Sequence, residues 1–424
     1  GLPALVDPGY LDVLRFGVDS HAEFRAVVST SADQIAVTSG ELQRDWVADG
    51  RRYFEYVMER PTWPSVPFTS ARYEVARDRW NDVALEIYYD PKHSANIEAM
   101  LATIKRTLDY TTTNFAPYPL SSFRIVEYPG YRSAAKACPG IAAYPELYGF
   151  ITDISDTHYL DYGTIHELAH QWWGGMAYGA KMQGRQMLNE TLAQYTTLMV
   201  FKENFGAEYA GQVARQLHDN YLSRRKDETR SEHPLMYTDD QGNISYNKGP
   251  LAFYALVDAI GEDRVNQALR NYLDKFAFKD APFPTSRDVV NELRAVAGEA
   301  HQALITDLFE KIVLYDLEVE EVDIQPSGGL FDVSVTIAAH QFEADEFGVE
   351  VEVPLSSHTD IAIFPKQVSA LPNPVPIYQA KHQVETGTQT ITVQLEDMPG
   401  SVEIDPLYKF IDRTRQNNSM KIDP

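Results

Sequence analysis

The hydrophobic period of this 424-residue chain changes twice, and that double change restricts the fold more than any other feature. Residues 24–29, 53–58 and 83–89 are rich in β-branched and aromatic side chains, with Pro61, Pro64 and Pro67 breaking the middle. This predicts a small β domain, or the remnant of a larger one. From Asn96 the period becomes helical: Ile97, Met100, Leu101, Ile104 and Leu108 share a face, and helical spacing dominates to about Leu314. Helices are expected over 251–260 and 264–276, and over 289–296 behind a capping-box spacing of Thr285 and Asp288. Strict alternation then returns in Phe331, Val333, Val335 and Ile337, in Val349, Val351, Val353 and Leu355, and in Ile391, Val393 and Leu395. That tail reads as a β-sandwich, and 371–376 as a local Pro-rich loop. Single cores stop growing near roughly 250 to 300 residues. The expectation is therefore an α+β multidomain chain with an N-terminal β domain over 1–92, an α-rich body over 93–315 and a β-sandwich over 316–424.

A formal charge of -24 argues against nucleic acid or an anionic membrane as partner, because phosphate binding needs clustered Lys and Arg. From 312 to 365 there is no Lys or Arg, while Asp316, Glu318, Glu320, Glu321, Asp323, Asp345 and Glu346 fall inside, which reads as a solvated acidic face. The single cysteine, Cys138, forbids an intrachain disulfide and lacks a partnering His, so it reads as a buried residue. No apolar run approaches the roughly 18 to 20 residues that span a bilayer. The chain is expected to be soluble as it stands. It begins with Gly1, as would a piece excised from a longer protein whose targeting or membrane part lies elsewhere.

The strongest chemical signal is His166-Glu167-Leu168-Ala169-His170, in a stretch where Tyr162, Ile165, Ala169, Trp172, Trp173 and Met176 keep helical spacing. Two His at i and i+4 share a helix face, so their imidazoles can converge on one ion while Glu167 reaches a water in the open position. Such a pattern arises by chance in about 2 of 100 chains of this composition, and the context lowers that further. After a connection running from Gly179 to Gly184, a second helical pattern carries Glu190, which completes two His and one carboxylate, the ligand set of hydrolytic zinc sites. The set would also accept cobalt or manganese. The sequon Asn189-Glu190-Thr191 is set aside, since a glycan would collide with that ligand. His158, His218, His233 and His340 show no spacing for a second metal and read as surface or packing residues; Trp172 and Trp173 read as core.

His-Glu-Leu-Ala-His-Gln-Trp-Trp-Gly (166–174) followed by Leu188-Asn189-Glu190 resembles the aminopeptidase N and leukotriene hydrolase family of zinc peptidases, the gluzincins. The gap from Gln171 to Asn189 is one residue longer than the family's usual one, and Glu190-Thr191-Leu192-Ala193-Gln194-Tyr195 resembles a bacterial subgroup joined to ABC-type permease segments. The resemblance implies a thermolysin-like catalytic domain between the two β regions, one zinc ion held by His166, His170 and Glu190, and Glu167 as general base. Tyr246-Asn247-Lys248-Gly249 resembles the family's Tyr-x-Lys-Gly segment, implying that Tyr246 stabilises the oxyanion, with Lys248 and Gly249 shaping the turn into the next helix. Ala143-Tyr144-Pro145-Glu146-Leu147-Tyr148-Gly149 keeps the Glu and the later Gly of the family's Gly-x-Met-Glu-Asn segment and lacks its other residues. Glu146 is thereby implied in binding the substrate's α-amine, and Pro145 suits an edge strand beside the substrate.

The resulting expectation is a zinc-dependent aminopeptidase acting on peptides with a free N-terminus. Two alternatives stand beside it: an endopeptidase or epoxide-type hydrolase on the same scaffold, and a non-catalytic zinc-bearing sensor or binding module of a membrane transporter. The permease-linked resemblance further implies a membrane tether or transporter segments outside this chain, at a bacterial inner membrane.

Overall fold

A computed structural model describes residues 4–5, 21–63, 65–130, 134–152, 159–366 and 375–422, with backbone alone at 159 and 160. Pro64, His158 and most of the Pro-rich loop (371–374) lie outside the described residues. The chain separates into two compact units. The first comprises residues 1–204, 236–240 and 260–302, the second 205–235, 241–259 and 303–424. Among the described residues no helix is long and apolar enough to cross a membrane.

In the first unit, β1 (Arg25–Ser31), β2 (Ile35–Val37), β3 (Glu41–Ala48), β4 (Arg51–Val57) and β5 (Thr69–Ala71) form two small antiparallel sheets, ordered β1-β4-β3 and β2-β5. A five-stranded sheet follows, built from β6 (Glu74–Trp80), β7 (Val83–Tyr89), β8 (Ser122–Tyr128), β9 (Lys136–Cys138) and β10 (Ile141–Pro145) in the order β6-β7-β8-β10-β9. Strands β7, β8 and β10 run parallel, so β7 and β8 need a crossover. Helix α1 (Ile97–Asn114) supplies it, burying Ile97, Met100, Ile104 and Leu108 as its spacing predicts, while Leu101 is half-buried. Three strands, β8 to β10, thus sit inside the stretch that reads as helical. Strand β8 is buried from Ser122 to Glu127, on both faces, and a short, continuously buried run has no alternation to betray it. Arg124 is buried in this strand because Glu86 pairs with it at 2.9 Å and the Gly40 carbonyl accepts from it at 2.6 Å.

Among the described residues six helices of more than ten residues follow: α2 (Tyr159–Ala169), α3 (Leu192–Phe205), α4 (Ala207–Arg225), α5 (Gly249–Ile260), α6 (Glu262–Phe276) and α7 (Ser286–Ala297). At the start of α7 the capping box of Thr285 and Asp288 is formed, with the Thr285 backbone N–H donating to Asp288 at 2.7 Å.

The second unit carries α4, α5 and eight strands: β11 (Ile312–Ser327), β12 (Leu330–Ala344), β13 (Glu350–Val353), β14 (Ser356–Pro365), β15 (Tyr378–Glu385), β16 (Gly387–Leu395), β17 (Pro399–Ile404) and β18 (Ser419–Lys421). One sheet is β11-β12-β13 with β16 also on β12, the other β15-β14-β17-β18. Both feed one apolar core, with Leu317, Val333, Val335 and Ile337 from the first sheet and Ile361, Ile363, Val402 and Ile404 from the second. Glu318, Glu320 and Glu321 of β11 are exposed, as the acidic run predicts. The alternating valines at β13 and just before it behave differently: Val349 and Val351 are 62% and 63% exposed. Alternation identifies the two faces of a strand and not which one is covered. The glutamates of β13 are in ion pairs, the exposed Glu352 meeting His340 at 2.7 Å and the half-buried Glu350 lying 3.6 Å from Arg225 and pairing with Arg413.

The second unit also contains a buried ionic cluster. Glu232 accepts from Lys248 Nζ at 3.0 Å, from Arg225 Nε at 2.7 Å and from the Tyr221 hydroxyl. Burial alone would raise its pKa, but Lys248, Tyr221 and Arg225 together hold it down to about 2. A depressed folded-state value contributes stability above the unfolded value of 4.5 that is lost as pH falls through about 2. Urea unfolding between pH 5 and pH 2 should therefore show a loss on the order of 3 kcal/mol from this group. Glu232→Gln should remove that part of the slope; an unchanged slope would show the cluster contributes nothing to acid sensitivity.

Candidate metal centre

Helix α2 delivers His166 and Glu167, and His170 follows in the turn that continues it, its N–H still bonded to the His166 carbonyl at 3.3 Å. Glu190 arrives on a π-helical turn, Met187–Thr191, that runs directly into α3. The three side chains converge. His166 Nε2 and His170 Nε2 are 3.1 Å apart, and Glu190 Oε2 lies 3.3 Å from the first and 3.4 Å from the second. Ligand bonds of about 2.0–2.2 Å in a tetrahedral site set neighbouring donor atoms roughly 3.3–3.6 Å apart. The observed separations match that to within a few tenths of an ångström, and Glu190 Oε2 is buried without accepting a hydrogen bond of good geometry. These three residues fit one divalent ion, and they are the one His/Cys/Asp/Glu group of that kind among the described residues.

The electrostatics agree. Burial opposes a charge on His170, yet Glu190, with Glu167 and the Trp173 carbonyl, raises its pKa to about 9. Burial likewise opposes the Glu190 carboxylate, and the two imidazoles hold it far below the ordinary range. Glu167 is 8% exposed, beside His166 in sequence, and its charge acts on His170 and on the buried Tyr144 phenol.

The residues around the motif anchor it. His170 Nδ1 faces the Trp173 carbonyl at 3.2 Å, which leaves Nε2 for the ion. Gln171 accepts from Gly140 N–H at 2.9 Å and donates to the Cys138 carbonyl at 3.0 Å. Trp172 and Trp173 are buried as expected, and each indole N–H has a partner, the Ala116 carbonyl and Thr196 Oγ1, both at 2.8 Å. Upstream, Asp161 pairs with Arg106 at 3.2 Å and accepts from Thr103, and the Tyr162 hydroxyl donates to Gln194 of α3. Gly174, at φ +87, lies so close to Asn189 that a Cβ would come within 2.9 Å of its Oδ1. Gln171, Tyr162 and Gln194 lie in or beside the quoted motifs, and the folded contacts add what each one anchors.

Glu146 is half-buried and opens a helical turn, Glu146–Gly149, at the end of β10. Strand β10 lies between β8 and β9, but β9 pairs only with Ile141 to Ala143, so Pro145 stands beyond the part that β9 covers. The parallel register sets Tyr144 opposite Glu127, a carboxylate 3% exposed, paired with His93 and within the field of Glu146. Tyr246 belongs to the second unit, on another π-helical turn, Asn243–Lys248, and is 37% exposed. Gly249 begins α5, as expected, whereas Lys248 is buried in the Glu232 cluster. Cys138 is buried in β9, and burial pushes its thiol up.

One divalent ion per chain is the expected stoichiometry by elemental analysis, with a matching rise in thermal midpoint on metal addition. Glu190→Gln and His170→Ala should each drop the stoichiometry to near zero and abolish that rise. Retention of the ion by both variants would place the metal elsewhere.

Residues 99–311, half of the chain, match the Peptidase family M1 domain. Aminopeptidase M1-B of Oryza sativa subsp. japonica is 25% identical over 267 residues, covering 57% of this chain and 30% of that protein. Endoplasmic reticulum aminopeptidase 2 of Homo sapiens is 26% identical over 211 residues, covering 47% of this chain and 22% of that protein. This chain thus spans less than a third of the length of these curated relatives. The crystal structure of Legionella pneumophila aminopeptidase A in complex with aspartic acid aligns with 95% of this chain and 45% of its own, at a TM-score of 0.63 and 13% identity, a likeness of fold. The matched stretch contains α2, the π-helical turn of Glu190 and the turn of Tyr246, and with half its length inside the family's domain this chain belongs to peptidase family M1.

Proposed function

We propose that this chain is a zinc-dependent aminopeptidase that removes N-terminal residues from peptides. The observation that carries the reading is the convergence of His166, His170 and Glu190 with Glu167 next to the first ligand, all inside the M1 stretch. A zinc ion held by those three residues would supply Lewis-acid chemistry, polarising a carbonyl and acidifying a water. Glu167 takes the proton of the attacking water and passes it to the leaving amine, a role that needs a carboxylate beside the ligands and not among them. Tyr246 donates its hydroxyl to the oxyanion as charge develops on the scissile carbonyl. Glu146 binds the substrate's α-ammonium, which confines cleavage to the first peptide bond. The names of the curated relatives, aminopeptidases from plant and animal, support this choice over an endopeptidase.

The domain division that goes with this reading is a β domain over 1–92, a thermolysin-like catalytic domain over 93–315 and a β-sandwich over 316–424. A membrane tether or transporter segment outside this chain, at a bacterial inner membrane, completes the proposal. A sensor module without catalysis would have no use for Glu167, since a structural ion needs no general base.

Turnover of aminoacyl chromogenic amides and of matched N-acetylated peptides separates these readings. The wild type should cleave only the free-amine substrates, and Glu167→Gln should lose at least about 10²- to 10⁴-fold in kcat while keeping its metal. Cleavage of acetylated peptides would point to an endopeptidase. A metal-loaded wild type inert towards every substrate would leave the binding module as the reading.

A further inference from the structure

The turn that bears Tyr246 is held at both ends by one short segment, residues 231–232. At its start, Gln241 donates to the Ser231 carbonyl at 2.9 Å, and the Gln241 carbonyl in turn accepts from Ile244 N–H at 3.0 Å and Ser245 N–H at 3.1 Å. At its end, Lys248 is 3% exposed, with its Nζ 3.0 Å from Glu232 Oε1 and 5.4 Å from the Tyr221 ring centroid. Tyr221 is tied in twice: its hydroxyl donates to Glu232, and its carbonyl accepts from Asn243 Nδ2 at 3.1 Å. Within the turn, Asn247 Nδ2 donates to Asn243 Oδ1 at 3.0 Å. Tyr246 itself remains 37% exposed while Ile244, Ser245, Asn247 and Lys248 around it are buried.

This pattern has a physical reading. A π-helical turn is less stable than an α-helical one and persists where neighbouring contacts over-determine it. A buried ammonium, moreover, tolerates no large displacement from its counter-ion, because losing the partner leaves an uncompensated charge. The Lys248–Glu232 pair therefore fixes the backbone two residues beyond Tyr246. Glu232 is itself held by Arg225 at 2.7 Å and by its own N–H, which donates to the Glu346 carbonyl at 2.9 Å.

We propose that Glu232 is a positioning residue for Tyr246: through Lys248 and Tyr221 it holds the Asn243–Lys248 turn in the conformation that aims the Tyr246 hydroxyl. The inference rests on the proposed oxyanion role of Tyr246. Glu232 touches no reacting atom. Its loss misplaces a donor whose contribution depends on position, and a misplacement of about 1 Å can cost on the order of 10²-fold in rate.

A double-mutant cycle on the full chain tests this, with an aminoacyl p-nitroanilide as substrate and urea midpoints as the folding control. Tyr246→Phe alone should lower kcat by roughly 10²- to 10³-fold. Glu232→Gln alone should lower kcat at least about tenfold and leave KM within about twofold, as expected when a transition-state contact is lost. In the Tyr246→Phe background the same Glu232→Gln change should cost less than about twofold, because the residue it positions is already gone. Glu232→Gln combined with Lys248→Met removes the unpaired charge, serves where the single variant folds poorly, and should show the same loss and the same non-additivity. An unchanged kcat, a tenfold cost repeated in the Tyr246→Phe background, or failure of both Glu232 variants to fold overturns the proposal and assigns Glu232 to stability alone. A fully active Tyr246→Phe removes instead the oxyanion role on which the inference rests, a result distinguishable from all of these.

Discussion

Two imidazole nitrogens and a carboxylate oxygen that point at one another within 3.1 to 3.4 Å do not gather by themselves. Their lone pairs repel unless a cation or shared protons lie between them, and burial removes the water that would screen them. The arrangement persists because each bearer is fastened from behind. Helix α2 is tied at its start to α1 through Asp161, Thr103 and Arg106, and at its end Gln171 grips the connection between β9 and β10. Trp172 and Trp173 set the chain direction by filling the core and by giving each indole N–H a partner. Placing His166 and His170 is therefore the work of residues whose own chemistry is only packing and hydrogen bonding.

The parts of this molecule legible from sequence are those where a local rule acts on a contiguous stretch. The i, i+4 spacing of His166 and His170 needs only a helix, and the helix is set by the apolar positions around it. The capping box at Thr285 and the buried face of α1 are local in the same sense. The alternation of Val333, Val335 and Ile337 places them in the core of the second unit, while the same alternation in Val349 and Val351 leaves them in water. Their strand pairs with β12 on one side, and which face receives a cover is decided by distant segments. Strand β8 is hidden for the complementary reason that burial on both faces erases the period, β10 is buried at all but Ala143, and β9 at three residues is too short to show one. Glu232 lies in a stretch, 227–232, with no apolar period at all, and its tie to Lys248 spans 16 residues; no pattern announces such a pair. The division into two units, each drawing on three separate segments, is likewise a property of contacts and not of composition along the chain.

Glu190 and Tyr246, in different units, share a local device. Each sits on a π-helical turn that passes directly into an α-helix, α3 in one case and α5 in the other. A π-turn holds one residue more than an α-turn, so it rotates the side chains before it relative to those after it, and it survives only where outside contacts hold it. The first of these turns brings Glu190 to the two histidines and passes into the helix with no intervening loop. On that turn Asn189 is pressed against Gly174, and Thr191, with Leu192 and Ala193 after it, is fully buried. The cost of the less favourable helical geometry is met by packing that the regular helix needs anyway. At Tyr246 the packing is supplemented by an ion pair, because Lys248 at the end of the turn would otherwise be a buried charge without a partner. The two turns are thus held by different means, one by close packing against a glycine and the other by a buried salt bridge, and each hangs on a residue that tolerates no simple replacement.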